Sequence, residues 1–415
     1  MPWRESSPMS ERFEFVRACL DRSQPIARIC DRFGISEKTG YKLLKRFREE
    51  GAEGLHDRSR ARLTHPYRIT PEVAAEVVAI RKKHPLYGPQ TIRDILRHRE
   101  PEQHWPAASS IGELLKRENL VRSKPRRHLP IEHAALETGR TRAFEPNLVW
   151  TADFKGEFRL GPGGDYCYPL TVMDLHSRYL LGCTALATTA VASARRVFTR
   201  LFREYGLPRV IRTDNGIPFA QPNALGRLGQ LGFWWVRLGI RPEHTKPATP
   251  SENGAHERFH RTMKAAVTKP ASPSIHSQQI RFDNFRSEYN EHRPHRSLPD
   301  RKPPASLYSS SERPYPKRLP CFEYPCTSAV RLVDTTGYIK WHGQPVFISG
   351  NLAGDYVGVT EAEGDLISIS FALMELGQYD CITKRFIPRV RWSESRLTYV
   401  PVSCSPMFPV RQGSE

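Results

Sequence analysis

Trp150-Thr151-Ala152-Asp153, Arg212-Thr213-Asp214-Asn215-Gly216 and Pro250-Ser251-Glu252-Asn253-Gly254-Ala255-His256-Glu257-Arg258 each hold a carboxylate at the edge of a predicted element. The first patch closes an apolar run, Leu148 to Phe154, that reads as a buried strand. The second closes another strand, Val210 to Thr213, at the turn pair Asn215-Gly216. The third opens a long helix that starts near Asn253 and stops before Pro270. Two strand ends and a helix can bring Asp153, Asp214 and Glu257 together. Three converging carboxylates make a divalent-metal site suited to phosphoryl transfer.

Around these patches, residues 145–310 alternate in character. Tyr168 to Asp174 and Tyr179 to Thr184 read as strands joined at His176-Ser177, and a helix covers about 189–205. After Val210 to Thr213, a helix leads to Gly239 and a short strand precedes Pro247. Three successive strands followed by alternating helix and strand predict a mixed sheet flanked by helices, a ribonuclease-H-like α/β core.

Upstream, the chain reads as helical and basic. Phe13, Phe15, Val16, Cys19 and Leu20 form an apolar stripe, Pro25 opens a short helix, and Gly34 supplies a tight turn. Ser36 is the predicted N-cap of a helix carrying Lys38, Lys42, Lys45 and Arg46. Helix, glycine turn and basic helix is the helix-turn-helix pattern, with Lys38 and Lys42 on its groove-entering half. The plainer reading is a helical hairpin with a solvated basic face. A second helical module spans 71–122, and Arg122 to Arg127 reads as an exposed linker crossing a phosphate backbone.

Downstream, residues 328–380 contain short apolar strands punctuated by Gly337, Gly343, Gly350 and Gly354, which predicts a small β-barrel. The tail after about residue 385 reads as poorly ordered. The expected organisation is therefore multidomain α+β: a helix-turn-helix domain at 1–65, a second helical DNA-binding module at 66–128, a linker at 129–143, the catalytic core at 144–312, the barrel at 313–385 and a tail at 386–415.

The chain has 415 residues, a formal net charge of +19 and a pI near 9.8, which points to a polyanionic partner, nucleic acid ahead of membrane. No apolar run reaches membrane-spanning length, and a soluble intracellular protein is expected. The eight cysteines are scattered, and only Cys321 and Cys326 lie close, without partners for a zinc set. Reduced, mostly buried thiols are expected.

An aspartate in an apolar strand needs a partner, because an unpaired buried charge is very costly, and this singles out Asp153. Asp214 alone would pass for a turn residue. Glu252 and Glu257 are five residues apart, about 140° around a helix, so they cannot face one metal together. Glu252 falls in the predicted first turn, where the helix dipole alone favours an acid. Glu257 shares its face with Arg261 and Lys264, which sets one candidate metal ligand beside two phosphate-binding cations.

Trp150-x-x-Asp153, Thr213-Asp214-Asn215-Gly216 and Asn253-Gly254-x-x-Glu257-Arg258 resemble the three blocks of the D,D,E signature of retroviral-integrase-like transposases. Tyr289-Asn290-Glu291-His292-Arg293-Pro294-His295 with Leu298 resembles their closing block. Met1-Pro2-Trp3 and Ile35 to Lys42 resemble the IS481 family. The resemblance implies a DNA strand transferase using Mg²⁺ or Mn²⁺ held by Asp153, Asp214 and Glu257. It also implies double-stranded DNA, element ends and target, as partner, a homo-oligomer on that DNA, and a cytoplasmic, nucleoid-associated setting in a bacterium. The Asp214 to Glu257 interval is longer than usual for the group, and Glu252 stands where a neutral residue is usual. Two other functions remain: a transposase-derived DNA-binding regulator, marked by loss of a carboxylate, and a ribonuclease-H-like nuclease that cuts without joining.

Overall fold

The structure, a computed structural model, describes residues 7–58, 69–121, 141–245, 254–320 and 322–392; for Gly254, Ala255 and Glu257 it describes the backbone alone. The Arg122 to Arg127 linker and Glu252 lie outside these residues.

Two compact units divide the chain, Met1–Arg68 and Ile69–Glu415. In the first, α1 (Pro8–Leu20), α2 (Ile26–Arg32) and α3 (Glu37–Glu50) enclose Phe15, Val16, Ile29, Cys30, Leu44 and Leu55. The Ser36 hydroxyl accepts from the Thr39 amide at 3.3 Å and caps α3, as its sequence position predicts. Gly34 turns the chain at φ +63°. Gly40 lets α3 approach α2 closely, since a Cβ there would meet Cys30 Sγ at 2.5 Å.

The second unit opens with α4 (Pro71–Lys83), α5 (Pro89–Arg99) and α6 (Ala108–Arg117), which bury Val77, Ile80, Ile92, Leu96 and Ile111. This module docks on the segment that follows the central fold. Tyr87 donates to Glu288 at 2.5 Å, and Arg301 reaches the buried Asp94 at 3.1 Å.

The central sheet comprises β1 (Val149–Phe154), β2 (Phe158–Arg159), β3 (Tyr166–Asp174), β4 (Leu180–Leu186), β5 (Val210–Thr213) and β6 (Arg241–His244). β1 pairs antiparallel with β3 and parallel with β5, and β6 is parallel to β5. The expected mixed sheet is therefore present. Helices cover both faces, which is why β1 is buried on both sides. On one face, Trp150, Ala152, Leu170 and Val172 pack against α7 (Val191–Tyr205) and α8 (Gln230–Arg237). On the other, Met173, Leu180 and Cys183 pack against Phe259, Met263 and Val267 of α9 (Gly254–Val267), and Phe282 and Phe285 of α10 (Ile275–Ser287). α8 is apolar nearly all round because it has two neighbours. Trp234 and Trp235 face the central core, while Phe233 and Val236 join the C-terminal core.

That C-terminal region departs from the expected barrel. β7 (Ser328–Leu332), β10 (Tyr356–Glu361), β11 (Leu366–Phe371), β12 (Met374–Asp380) and β13 (Arg385–Trp392) form an open sheet in the order β13-β12-β11-β10-β7. β8 (Tyr338–Trp341) and β9 (Gln344–Phe347) form a separate hairpin. No pairing among the described residues closes the sheet. The poorly ordered tail expected after residue 385 is corrected as well, because Arg385–Trp392 pairs along β12 as an edge strand. Its Pro388 stands opposite Gly377 at a register shift, the position an edge strand allows a proline. Of the described cysteines, Cys30, Cys167 and Cys183 are buried, whereas Cys326 and Cys381 are exposed.

Candidate active site

Strand alternation sets the direction of the first carboxylate. Trp150 and Ala152 face α7 and α8, so Thr151 and Asp153 face α9, as does Thr171 from β3. The β1–β5 register ends with Ala152 opposite Thr213, so Asp153 and Asp214 are the next residues on the two paired chains.

Asp214 is held at the start of its turn. Its Oδ1 accepts from the Gly216 amide at 3.1 Å, and its carbonyl faces His244 Nδ1 at 3.3 Å. Gly216 leaves room for this carboxylate, since a Cβ there would lie 3.0 Å from Asp214 Oδ2. At the opposite end of β1's antiparallel partner, Asp174 is fully buried, unlike the half-buried Asp153 and Asp214, and burial raises its pKa. It is occupied by the Asn147 amide and by the Ser177 amide and hydroxyl, so its role is to fix the β3–β4 turn.

Helix α9 meets the Asp153 face through two histidines that sequence reasoning passed over. His256 and His260 are one turn apart and buried at 1% and 7% exposure. Both Nε2 atoms reach Thr171 Oγ1, at 2.8 and 2.9 Å, and that hydroxyl donates to the Asp153 carbonyl at 3.0 Å. His256 Nδ1 meets Thr151 Oγ1 at 3.1 Å. His260 Nδ1 lies 3.6 Å from Asp153 Oδ2. Burial pushes His256 down to about 4; burial, with His256 and Lys155 nearby, pushes His260 down to about 2. Burial thus favours the neutral imidazole at both positions. The signal for them was in plain view. His256-Glu257-Arg258-Phe259-His260 has the His-Glu-x-x-His spacing that places two imidazoles on one helix face.

Asp153, His256 and His260 each offer one ligand atom, all within 4.8 Å of one another. These oxygen and nitrogen donors suit a divalent cation, and Asp214 is not part of that group. Glu257 belongs to the same helix, one residue beyond His256 and three before His260.

Arg261 and Lys264 are exposed on α9. Arg261 and Arg258 line a cleft with Arg178, Arg293 and Arg296. Arg178 Nη1 is buried there without a hydrogen-bond partner among the described residues. In the N-terminal unit, Lys38, Lys42 and Lys45 of α3 are exposed and Arg46 is half-buried.

Family comparisons agree with this layout. Residues 143–250 and 238–304 match integrase core domain profiles, residues 11–62 a helix-turn-helix domain and residues 39–115 a homeodomain-like domain. The chain is 31% identical over 134 residues to the Pol polyprotein of Feline endogenous virus ECE1, covering 32% of this chain and 12% of that protein. It is 30% identical over 137 residues to the Gag-Pol polyprotein of Gibbon ape leukemia virus, covering 32% and 8%. It thus spans about a tenth of the length of these relatives. Among solved structures, the HTLV-2 integrase catalytic core domain in complex with magnesium (trimeric form) aligns at TM-score 0.32 and 16% identity, over 40% of this chain and all of that one. The simian T-cell lymphotropic virus intasome in complex with PP2A regulatory subunit B56 gamma aligns at TM-score 0.34 and 16% identity, over 79% of this chain and all of that one. No described helix is long and apolar enough to cross a membrane.

Proposed function

We propose that the chain is a DNA transposase of the integrase type, a polynucleotidyl transferase that cleaves at element ends and joins them to target DNA. The observation that supports this reading is the parallel pairing of β1 with β5, whose register ends at the residues preceding Asp153 and Asp214, together with a helix that contains Glu257 and meets the Asp153 face through His256 and His260. The integrase core match over the same residues supports it.

In this reading Asp153, Asp214 and Glu257 hold Mg²⁺ or Mn²⁺. The bound ions would activate the attacking oxygen and stabilise the leaving one. The β1 and β5 termini fix the two aspartates on rigid elements, so neither has to be ordered at the moment of reaction. Arg261 and Lys264 would hold the DNA backbone beside the scissile phosphate, and the arginine-lined cleft next to them extends that path. Lys38, Lys42, Lys45 and Arg46 would carry end recognition from the helix-turn-helix unit. Cleaving and joining two ends calls for more than one copy of the chain on DNA.

The test is strand transfer with DNA substrates cut from the sequence flanking the gene, searched for inverted repeats. Asp153→Asn, Asp214→Asn and Glu257→Gln should each abolish cleavage and joining while DNA binding persists. Glu252→Gln should stay active. An inactive Glu252→Gln with an active Glu257→Gln would show that the third ligand is misassigned. Binding without metal-dependent chemistry in the unaltered chain would leave a DNA-binding regulator.

A further inference from the structure

We propose that the exposed face of α7 is a second DNA-binding surface, which holds the phosphate backbone of duplex DNA on the side of the sheet opposite α9. This rests on the reading of the chain as a DNA-binding protein and not on the assignment of its metal ligands.

Helix α7 divides by face. Ala194, Val197, Phe198, Leu201, Phe202 and Tyr205 are buried in the core beneath it. Arg195, Arg196, Arg200 and Arg203 are exposed and line one surface recess with Thr199. At about 100° per residue, Arg196, Arg200 and Arg203 fall within about 60° of one another around the helix, and Arg195 flanks them. From Arg196 to Arg203 the helix rises about 10 Å, a length over which one strand of a duplex carries about three phosphates.

The partners of these arginines are neutral. The Arg195 guanidinium lies over the Trp234 ring, 5.1 Å from its centroid, and the Arg203 guanidinium lies over Tyr315 at 5.8 Å. Arg200 Nη2 donates to Thr184 Oγ1 at 3.0 Å, and Arg196 Nη2 donates to Ser193 Oγ at 3.3 Å. Among the described residues, none of the four pairs with a carboxylate. Glu204, the one acid of α7, faces Arg286 at 3.9 Å instead. A helix face that is merely solvated gains from opposite charges one turn apart. Here the residue one turn beyond Arg196 is Arg200, and like charges repel at that spacing. Ring faces and hydroxyls thus hold the guanidiniums in place without neutralising them. An arginine laid on a ring keeps its N–H edge for a bidentate acceptor such as phosphate.

Duplex DNA is the polyanion that fits. The chain carries 63 Lys and Arg against 44 Asp and Glu, and its helix-turn-helix domain belongs to a class that docks on duplexes. α7 and α9 cover opposite faces of the sheet, so a duplex lying along Arg261 and Lys264 leaves the α7 arginines uncovered. The stripe is therefore a site for a separate duplex segment.

The test is arginine footprinting. The full chain is treated with phenylglyoxal, alone and with a duplex of random sequence, and modified arginines are read by mass spectrometry. The duplex should protect Arg195, Arg196, Arg200 and Arg203. Replacing Arg196→Gln and Arg200→Gln together should lower the salt slope of duplex binding by about two, roughly one for each cation removed. Protection of Arg46 and Arg261 with none on α7 would overturn this proposal and leave the DNA-binding reading intact. No protection at any arginine would overturn both. Protection already present without DNA, and rising with protein concentration, would make the α7 face a contact between copies of the chain. Protection by polyglutamate but not by the duplex would make its partner an acidic protein. Either result overturns the proposal.

Discussion

Thr171→Val should destabilise the Ile69–Glu415 unit by about 3–5 kcal/mol, although it changes neither the volume nor the strand propensity of the site much. Thr171 is fully buried, and its hydroxyl joins β1, β3 and α9 at one atom. Valine would leave two imidazole N–H groups and one carbonyl without this partner. Each such buried group costs roughly 1–3 kcal/mol. The three share one atom and will not add fully, and the added methyl returns about 1 kcal/mol through burial. Valine and threonine both suit a strand, so propensity does not confuse the comparison. At about 2–4 °C per kcal/mol for a large domain, the melting temperature should fall by roughly 6–20 °C. Thr171→Ser keeps the hydroxyl and loses only a methyl, so it should cost about 1 kcal/mol. Thermal melts of the three proteins, followed by circular dichroism, should rank threonine above serine above valine. A valine variant as stable as the serine variant would refute the hydroxyl's role.

Two further outcomes follow from the basic surface. Lys264→Ala should weaken binding of the catalytic region to DNA of any sequence and lower the salt slope by about one, measured by titration at several salt concentrations; an unchanged slope would make Lys264 a merely solvated cation. His295 is pushed down to about 4 by burial and by Arg178, Arg293 and Arg258, so the unfolded chain binds more protons between its ordinary 6.5 and 4. Its contribution is complete above pH 6.5 and is lost as pH falls toward 4. Urea unfolding of His295→Asn should therefore lose about 2–3 kcal/mol less than the unaltered chain between pH 7.5 and 4.5, and equal losses would count against it.

The parts of the fold that alternate or run apolar were legible in the sequence. β1 and β5 are short, apolar and bounded by turn residues, so Asp153 and Asp214 could be placed at strand ends before any pairing was known. That the two strands pair was not legible, because only the parallel β1–β5 register supplies it. α10 escaped notice because its buried face includes Gln278, whose amide bonds the Val267 carbonyl and the Ser272 amide and so makes a polar residue a core residue. β13 escaped because arginines and Pro388 disguise an edge strand as a tail. His256 was quoted inside a patch that was searched for carboxylates, His260 stands two residues beyond it, and nothing in the sequence says which strand residue meets them.

A polar knot under a catalytic helix also answers a question that apolar packing leaves open. Phe259, Met263 and Val267 recur every four residues along α9, so a shift of the helix by one turn would exchange one apolar contact for another of similar size. The two histidines do not tolerate such a shift. Moving α9 by one turn, about 5.4 Å, would take both Nε2–H groups out of reach of Thr171 and leave them buried without partners. Burial thus presses the helix onto the sheet, while hydrogen bonding selects its height and rotation. The backbone of residue 257 is fixed by the same selection, since it lies between the two histidines on one continuous helix. A site that must hold its donors to within a fraction of an ångström gains from this second, directional constraint. The strand that presents Asp153 supplies it through the Asp153 carbonyl, so strand and helix are set relative to each other at the residue where their chemistry meets.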